Sequence, residues 1–394
     1  MDLDKPDPKL VIRNIGLVLS GKLEQPILDA DCVVVIGKRI AAVGYARDLD
    51  TEDATTLIDA MGCTLAPGLI DSHVHPVIGD YTPRQQQMNW IDSTLHGGVT
   101  TMISAGEVHM PGRPKDIVGL KAQAIAAQRW YENFRPSGVK VHAGAPIIEQ
   151  GMVEQDFKDL ADAGVTLLGE VGLGSVKDGP TAKTMVAWAR KYGLQSTIHT
   201  GGPSIPGSGL ISAEVVLEAD TDVVGHINGG HSALPDDQII CICDGCLRGL
   251  EIVHNGNERA ALLTLNTTRE MGKLDQVILG TDGPAGSGVQ PLGILRMVAM
   301  LSALGNLPAE QAFCLATGNT ARMRKLDTGM IEPGYAADFV LMDQAQHAPG
   351  ASILDSVQLG NLPGVGMTII DGVVTSQRSR NTPPAGRIPV VVRG

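Results

Sequence analysis

Eight short apolar runs, most of them separated by helical patterns, together with strand-rich stretches at both ends of the chain, predict an α/β protein: a (β/α)8 TIM barrel carrying a small β-module. The chain has 394 residues, room for a barrel of about 250 residues and a second, smaller body. Residues 1–63 supply the first part of the β-module through "KLVIRNIGLVLSG", "ADCVVVIGKRIAAVG" and "ATTLIDAMG". Residues 329–394 supply the second through "GMIEPGYAADFVLMD" and "GVGMTIIDGVVTSQ", where Asp371–Gly372 marks a tight bend, followed by a loose tail.

The segment between them, 64–328, reads as the barrel. Its first strand lies in "APGLIDSHVHP" (66–76), and six more are "VTTMISAG" (99–106), "VKVHAGA" (139–145), "VTLLGEVG" (165–172), "LQSTIHTGG" (194–202), "DVVGHINGG" (222–230) and "LEIVHNG" (250–256). The eighth is "QVILGTDGP" (276–284). Helical patterns such as "KDIVGLKAQAIAAQRWYENF" (115–134), "EQDFKDLADAG" (154–164) and "PTAKTMVAWARKYG" (180–193) fill the gaps, as crossovers between parallel strands must.

A barrel of this kind places its functional groups at the C-terminal ends of its strands. Read there, the chain offers His73 and His75, His142, Glu170, His199, His226, His254 and Asp282, with Glu107 and His109 in the loop after the second strand. One such residue alone is more often a hydrogen-bonded loop or core group. Seven strands of eight ending in an ionisable side chain would be costly to bury without a metal or partners to compensate them. His73 and His75, two residues apart on an extended chain, point to the same side. Imidazoles and carboxylates suit Zn²⁺, Fe²⁺ or similar ions, and a carboxylate between two histidine groups is placed to bridge two of them. Asp282 is placed to bind one ion and to exchange a proton with water activated there.

The stretches "PGLIDSHVHP", "GE" at the end of the fourth strand, "IHTGG", "GHINGG" and "GTDGP" resemble the amidohydrolase superfamily of metal-dependent hydrolases over nearly the whole chain. The resemblance implies that the two chain ends form one composite β-sandwich. It implies that His73, His75 and Asp282 bind one ion, that His199 and His226 bind the other, and that Glu170 bridges them. Many superfamily members that open cyclic imides bridge with a carbamylated lysine; here Glu170 holds that place, and Lys177 is the nearest lysine.

Further stretches, among them "GDYTPRQ" (79–85), "LHGGVTTMISAG" (95–106), "HTGGPSIPGS" (199–208) and "RNTPPA" (380–385), are similar to a branch that opens cyclic enamides in bacterial nicotinate degradation. That branch implies zinc and iron, or two zinc ions, a small anionic heterocyclic substrate and a homo-oligomer, a tetramer. The residues around Glu107, His231 and His254–Asn255 depart from its pattern. A heterocycle deaminase, a hydantoinase-like enzyme and a dipeptidase are the alternatives; a catalytically dead scaffold would have lost ligands, and this chain keeps them all.

A net charge of −12 argues against nucleic-acid or anionic-membrane partners, though not against a small anion held by one or two arginines. Arg84 and Arg113 follow the first two strands and offer the planar fork that matches a carboxylate. No apolar run is long enough to span a membrane, the N-terminal stretch lacks an apolar signal core, and a cytoplasmic location is expected. Cys241, Cys243 and Cys246 lack a fourth ligand at zinc-site spacing and read as buried free cysteines of a helix.

Overall fold

A computed structural model describes residues 7–76, 84–107, 112–205, 208–230, 232–284 and 288–394, with the helical backbone alone for 84–88. The chain clusters into two compact units, one comprising Met1–Ile70, Ser93–Thr100 and Val298–Gly394, the other Asp71–Asp92 and Thr101–Met297.

In the first unit both chain ends enter the same sheets. One runs in the order Val390–Arg393, Thr56–Asp59, Lys9–Arg13, Cys32–Ile36, Arg39–Gly44. The other runs Val373–Gln377, Gly364–Ile370, Phe339–Asp343, Thr64–Pro67, Leu17–Leu19, Ile27–Leu28. Alternation along a strand decides what each residue meets: Leu10 and Ile12 enter a core shared with Phe339, Leu341, Met367 and Ile369, while Val11 between them packs with Cys32, Val34 and Ala54. Asp371 and Gly372 take left-handed φ values of 51° and 74°, which the two-residue turn between the last long strands requires.

Eight strands concern the site, and we number them β1 (Leu69–Val74), β2 (Val99–Ser104), β3 (Lys140–His142), β4 (Leu167–Val171), β5 (Gln195–Ile198), β6 (Val223–Val224), β7 (Gly249–Val253) and β8 (Val277–Gly280). They form two sheets, β3-β2-β1 and β4-β5-β6-β7-β8, and β4 to β8 pair in parallel throughout. At one edge Val74 bridges Gly283 in parallel fashion; at the other the Gly169 and Glu170 amides donate to Pro146 and Ala105 carbonyls at 3.0 and 2.9 Å.

The crossovers are helices α1 (Arg84–Leu95), α2 (Ile117–Asn133), α3 (Glu154–Asp162), α4 (Gly179–Lys191), α5 (Ala213–Ala219), α6 (Asp236–Gly245) and α7 (Glu258–Glu270), and α8 (Gly293–Ala303) follows β8. Asp116, Asp178 and Asn257 cap α2, α4 and α7 by accepting an otherwise orphaned amide of the first turn. In α6, Cys243 and the capping Cys246 are buried, but Cys241 faces solvent, because it falls on the outer side of the helix.

Asp71 fastens β1 to the segment after β8. Its carboxylate accepts from the Thr281 amide at 2.9 Å and the Thr281 hydroxyl at 2.6 Å, and from the His73 amide at 3.2 Å. Burial pushes its pKa up to about 7 against these hydrogen bonds. Asp71→Ala strands buried donors and is expected to cost about 1–3 kcal/mol of stability. Urea unfolding of the metal-free protein measures it; an unchanged midpoint would show the two strands to be held by backbone pairing alone.

Candidate metal centre

The six strand-end residues singled out by the sequence as ligands converge. His73 and His75 leave β1, Glu170 lies in β4, and His199, His226 and Asp282 follow β5, β6 and β8; all are buried. Glu170 stands between two groups of nitrogens. Its Oε1 lies 2.6 Å from His226 Nε2 and 3.3 Å from His199 Nδ1, while its Oε2 lies 3.6 Å from Nε2 of both His73 and His75. Asp282 Oδ1 completes the second group, 3.0 Å from His75 Nε2 and 3.8 Å from His73 Nε2.

The far ring atoms explain the orientation. His75 Nδ1–H donates to the Gly106 carbonyl at 2.6 Å, and His199 Nε2–H donates to the Gly202 carbonyl at 3.0 Å, which leaves a lone pair on each inward nitrogen. His73 Nδ1 lies 2.5 Å from Glu251 Oε2, and its buried Nε2 has no hydrogen-bond partner. His199 Nδ1 and His226 Nε2 face each other at 3.1 Å. Bare imidazole nitrogens turned toward one another and toward carboxylates fit divalent cations. Ligand atoms of His73, His75 and Asp282, and likewise of His73, Glu170 and His226, all lie within 4.8 Å of one another.

Backbone geometry is unusual at this point. Asp282 has a φ of 57° and His226 a φ of 29°, a region that side-chain-bearing residues enter rarely. Hydrogen bonds hold both: Asn255 Nδ2 donates to the Asp282 carbonyl at 2.8 Å, and the Thr200 hydroxyl donates to the His226 carbonyl at 2.8 Å.

The model of the amidohydrolase family matches residues 242–375. The chain is 45% identical to the enamidase of Eubacterium barkeri, over 96% of this chain and 98% of that protein. The chain belongs to the amidohydrolase superfamily. The crystal structure of an enamidase superposes with a TM-score of 0.94 at 45% identity, covering 98% of this chain and all of that one. A β-aspartyl dipeptidase from Fervidobacterium islandicum, 18% identical with a TM-score of 0.65 over 95% of this chain and 98% of that one, shares the fold.

The remaining candidates of this amidohydrolase sit differently. His142 ends β3 and is partly exposed. His254 follows β7, its ring 3.4 Å from Asn255 Oδ1, and burial holds its pKa below that of an ordinary histidine. Neither joins the two ligand groups. Arg113 lies 3.4 Å from Glu149, which also accepts from the Ser175 amide at 2.7 Å and hydroxyl at 2.6 Å. Its charge is therefore already matched by a buried carboxylate. His109, His231 and the Arg84 side chain lie outside the described residues.

Two buried carboxylates within strands β1 to β8 escaped the sequence reading, Asp71 and Glu251. The signal was present in both: a lone acid inside an apolar strand, in "GLID" and "GLEIV". Neither ends its strand, so a reading confined to strand ends passes over them.

Electrostatics of the metal-free cluster make metal uptake a proton exchange. Burial opposes the charged His73 ring, but Glu251 and then Glu170 outweigh it, and His73 titrates well above an ordinary histidine. His199 is raised too, with Glu170 overcoming its burial. Glu170 and Asp282 move the other way: burial would raise them, and the histidines beside them bring both below the ordinary carboxylate range. Below the ordinary histidine pKa the raised rings contribute their full stabilisation to the metal-free form, and that contribution is lost as pH climbs through the raised values. A cation must displace those protons, so its affinity is expected to rise with pH through neutrality and its binding to release protons. Calorimetric zinc titration in buffers of different ionisation enthalpy checks this; uptake with no proton release at pH 6.5–7.5 would contradict the assignment.

Proposed function

We infer that the protein is an enamidase-like amidohydrolase that opens a small carboxylated cyclic amide at its C–N bond. 1,4,5,6-Tetrahydro-6-oxonicotinate, yielding 2-formylglutarate and ammonia, is the substrate that this reading favours. The observation that carries it is Glu170, whose two oxygens face two separate nitrogen groups, the arrangement that two ions sharing one bridge need. We assign His73, His75 and Asp282 to one ion, His199 and His226 to the other, and Glu170 to both, with zinc and iron, or two zincs, as occupants. The parallel strands and the hydrogen bonds at both sheet edges support one (β/α)8 barrel over 64–328. The shared core of the two mixed sheets supports a composite β-sandwich from 1–63 and 329–394. We further place the enzyme in the cytoplasm as a homo-oligomer, a tetramer.

Two divalent ions in these positions would supply a nucleophilic water at neutral pH and polarise the ring carbonyl. The chain's own residues do the rest. Asp282 turns Oδ1 to His75 and is held ionised by its histidine neighbours, so it can take a proton from the attacking water and pass it to the departing ring nitrogen. Gly230 leaves room beside Oδ2, where even an added Cβ would remain 3.9 Å away. Glu170 stays ionised and needs no CO₂-derived group to bridge. One water enters the amide to give a carboxylate and an enamine; the enamine becomes an imine, and a second water releases ammonia and leaves an aldehyde.

Metal-loaded enzyme supplied with the cyclic enamide should therefore release one ammonia per ring opened. Asp282→Asn, with its ions restored, should lower kcat about 10²–10⁴-fold while changing KM much less. Coupled ammonia detection reads both, and a near-normal kcat in the variant would move the proton transfer to another group.

An acidic protein that binds an anion needs a local cation. With Arg113 matched by Glu149, we assign the carboxylate clamp to Arg84, just after β1. Arg84→Ala should cost about 2–5 kcal/mol in kcat/KM for the acid, and far less for its carboxamide analogue. If wild type and variant discriminate equally between the two, Arg84 is a surface residue.

A further inference from the structure

We propose that Glu251 is the positioning residue of the ion site formed by His73, His75 and Asp282. It fixes the His73 ring with its proton on Nδ1 and its Nε2 lone pair turned into the cluster, and so sets how tightly an ion is held there. Glu251 is wholly buried in the middle of β7, between Leu250 and Ile252, which are buried as well. Its register partner on β8 is Ile278, which offers no polar group. A carboxylate in such a place carries a heavy desolvation cost that ordinary strand packing does not require. Its Oε2 meets His73 Nδ1 at 2.5 Å.

The contact spans the sheet. β8 lies beside β7, and the bridge from Val74 to Gly283 sets β1 on its other side. Gly280 gives His73 its room, since a Cβ there would stand 2.7 Å from His73 Cβ and 3.0 Å from its backbone nitrogen. A neutral acceptor would be enough to orient a ring: His75 and His199 are held by backbone carbonyls. A carboxylate adds charge. It makes the inward nitrogen of His73 a stronger donor, and it places a third anion, after Glu170 and Asp282, beside two dications. The His73 Nε2 also lies 3.6 Å from Glu170 Oε2, so the orientation of the ring bears on the carboxylate that both ions would share.

This inference rests on the two-ion reading, and the test separates them. Metal-free wild type and Glu251→Gln are titrated with Zn²⁺ against a chromophoric chelator. Glutamine keeps the size and an acceptor oxygen but not the charge. One of the two ions should bind about 10–100-fold more weakly in the variant than in the wild type. Equal zinc affinities, or lost stability with affinity retained, would overturn the proposal alone; a wild type that takes up no ion would overturn the two-ion reading with it. Should Glu251→Gln fail to fold, ¹⁵N-histidine spectra of the zinc-loaded wild type decide. His73, assigned by its loss in His73→Asn, must show a protonated Nδ1 with a far-downfield proton. A ring protonated on Nε2 instead would refute it.

Discussion

Four imidazoles and two carboxylates, all buried and within a few ångströms of one another, are the constraint on which the rest of this structure depends. Removing such groups from water is expensive, and imidazole nitrogens turned toward each other gain nothing unless something positive or a carboxylate stands between them. Glu170 meets part of that demand by dividing its oxygens between the two groups. Protons meet it in the metal-free protein, where His73 and His199 are pushed toward their charged forms. Divalent ions meet it better, because each satisfies several lone pairs at once. The cluster is thus a site that an ion completes.

Holding that arrangement falls to groups outside the six converging side chains. Backbone carbonyls of Gly106 and Gly202 fix two rings, and Glu251 fixes a third. Asn255 and Thr200 hold the left-handed backbone at Asp282 and His226. Such conformations persist only when their surroundings over-determine them. Here the strain is local to the two ligands that follow β6 and β8, and each strained peptide carries a side-chain donor on its carbonyl.

Charge bears on how an acidic protein would admit the anionic substrate proposed for it. A net charge of −12 favours cations at the surface and repels carboxylates. A cluster with Glu170, Asp282 and Glu251 beneath it becomes hospitable to an anion only once dications have reversed its sign. Arg113 adds nothing to that reversal, since Glu149 neutralises it before any ligand arrives.

The strand pattern, the alternation with helices and the ionisable side chains at the strand ends were legible in the sequence because each depends on local rules; the choice of six among them came from the family resemblance. A period of two aims His73 and His75 together, and functional groups gather where parallel strands end. Glu251 was not legible, although it stands in plain view in "LEIVHNG". A lone acid inside an apolar strand signals a buried carboxylate but not the group it meets. Only the order β7, β8, β1 brings it to His73, with Gly280 leaving the room, and no local rule encodes a contact between residues 178 positions apart. Arg113 gives the same lesson in reverse. Its planar fork suited a substrate carboxylate equally well on paper, and the fold supplied Glu149 instead, because which anion lies nearest is decided by how the loops after β2 and β3 pack. Sequence determined which chemistry this protein carries; the tertiary structure decided which groups orient it, since partners recruited from distant strands are chosen by sheet order and by the space that glycines leave open.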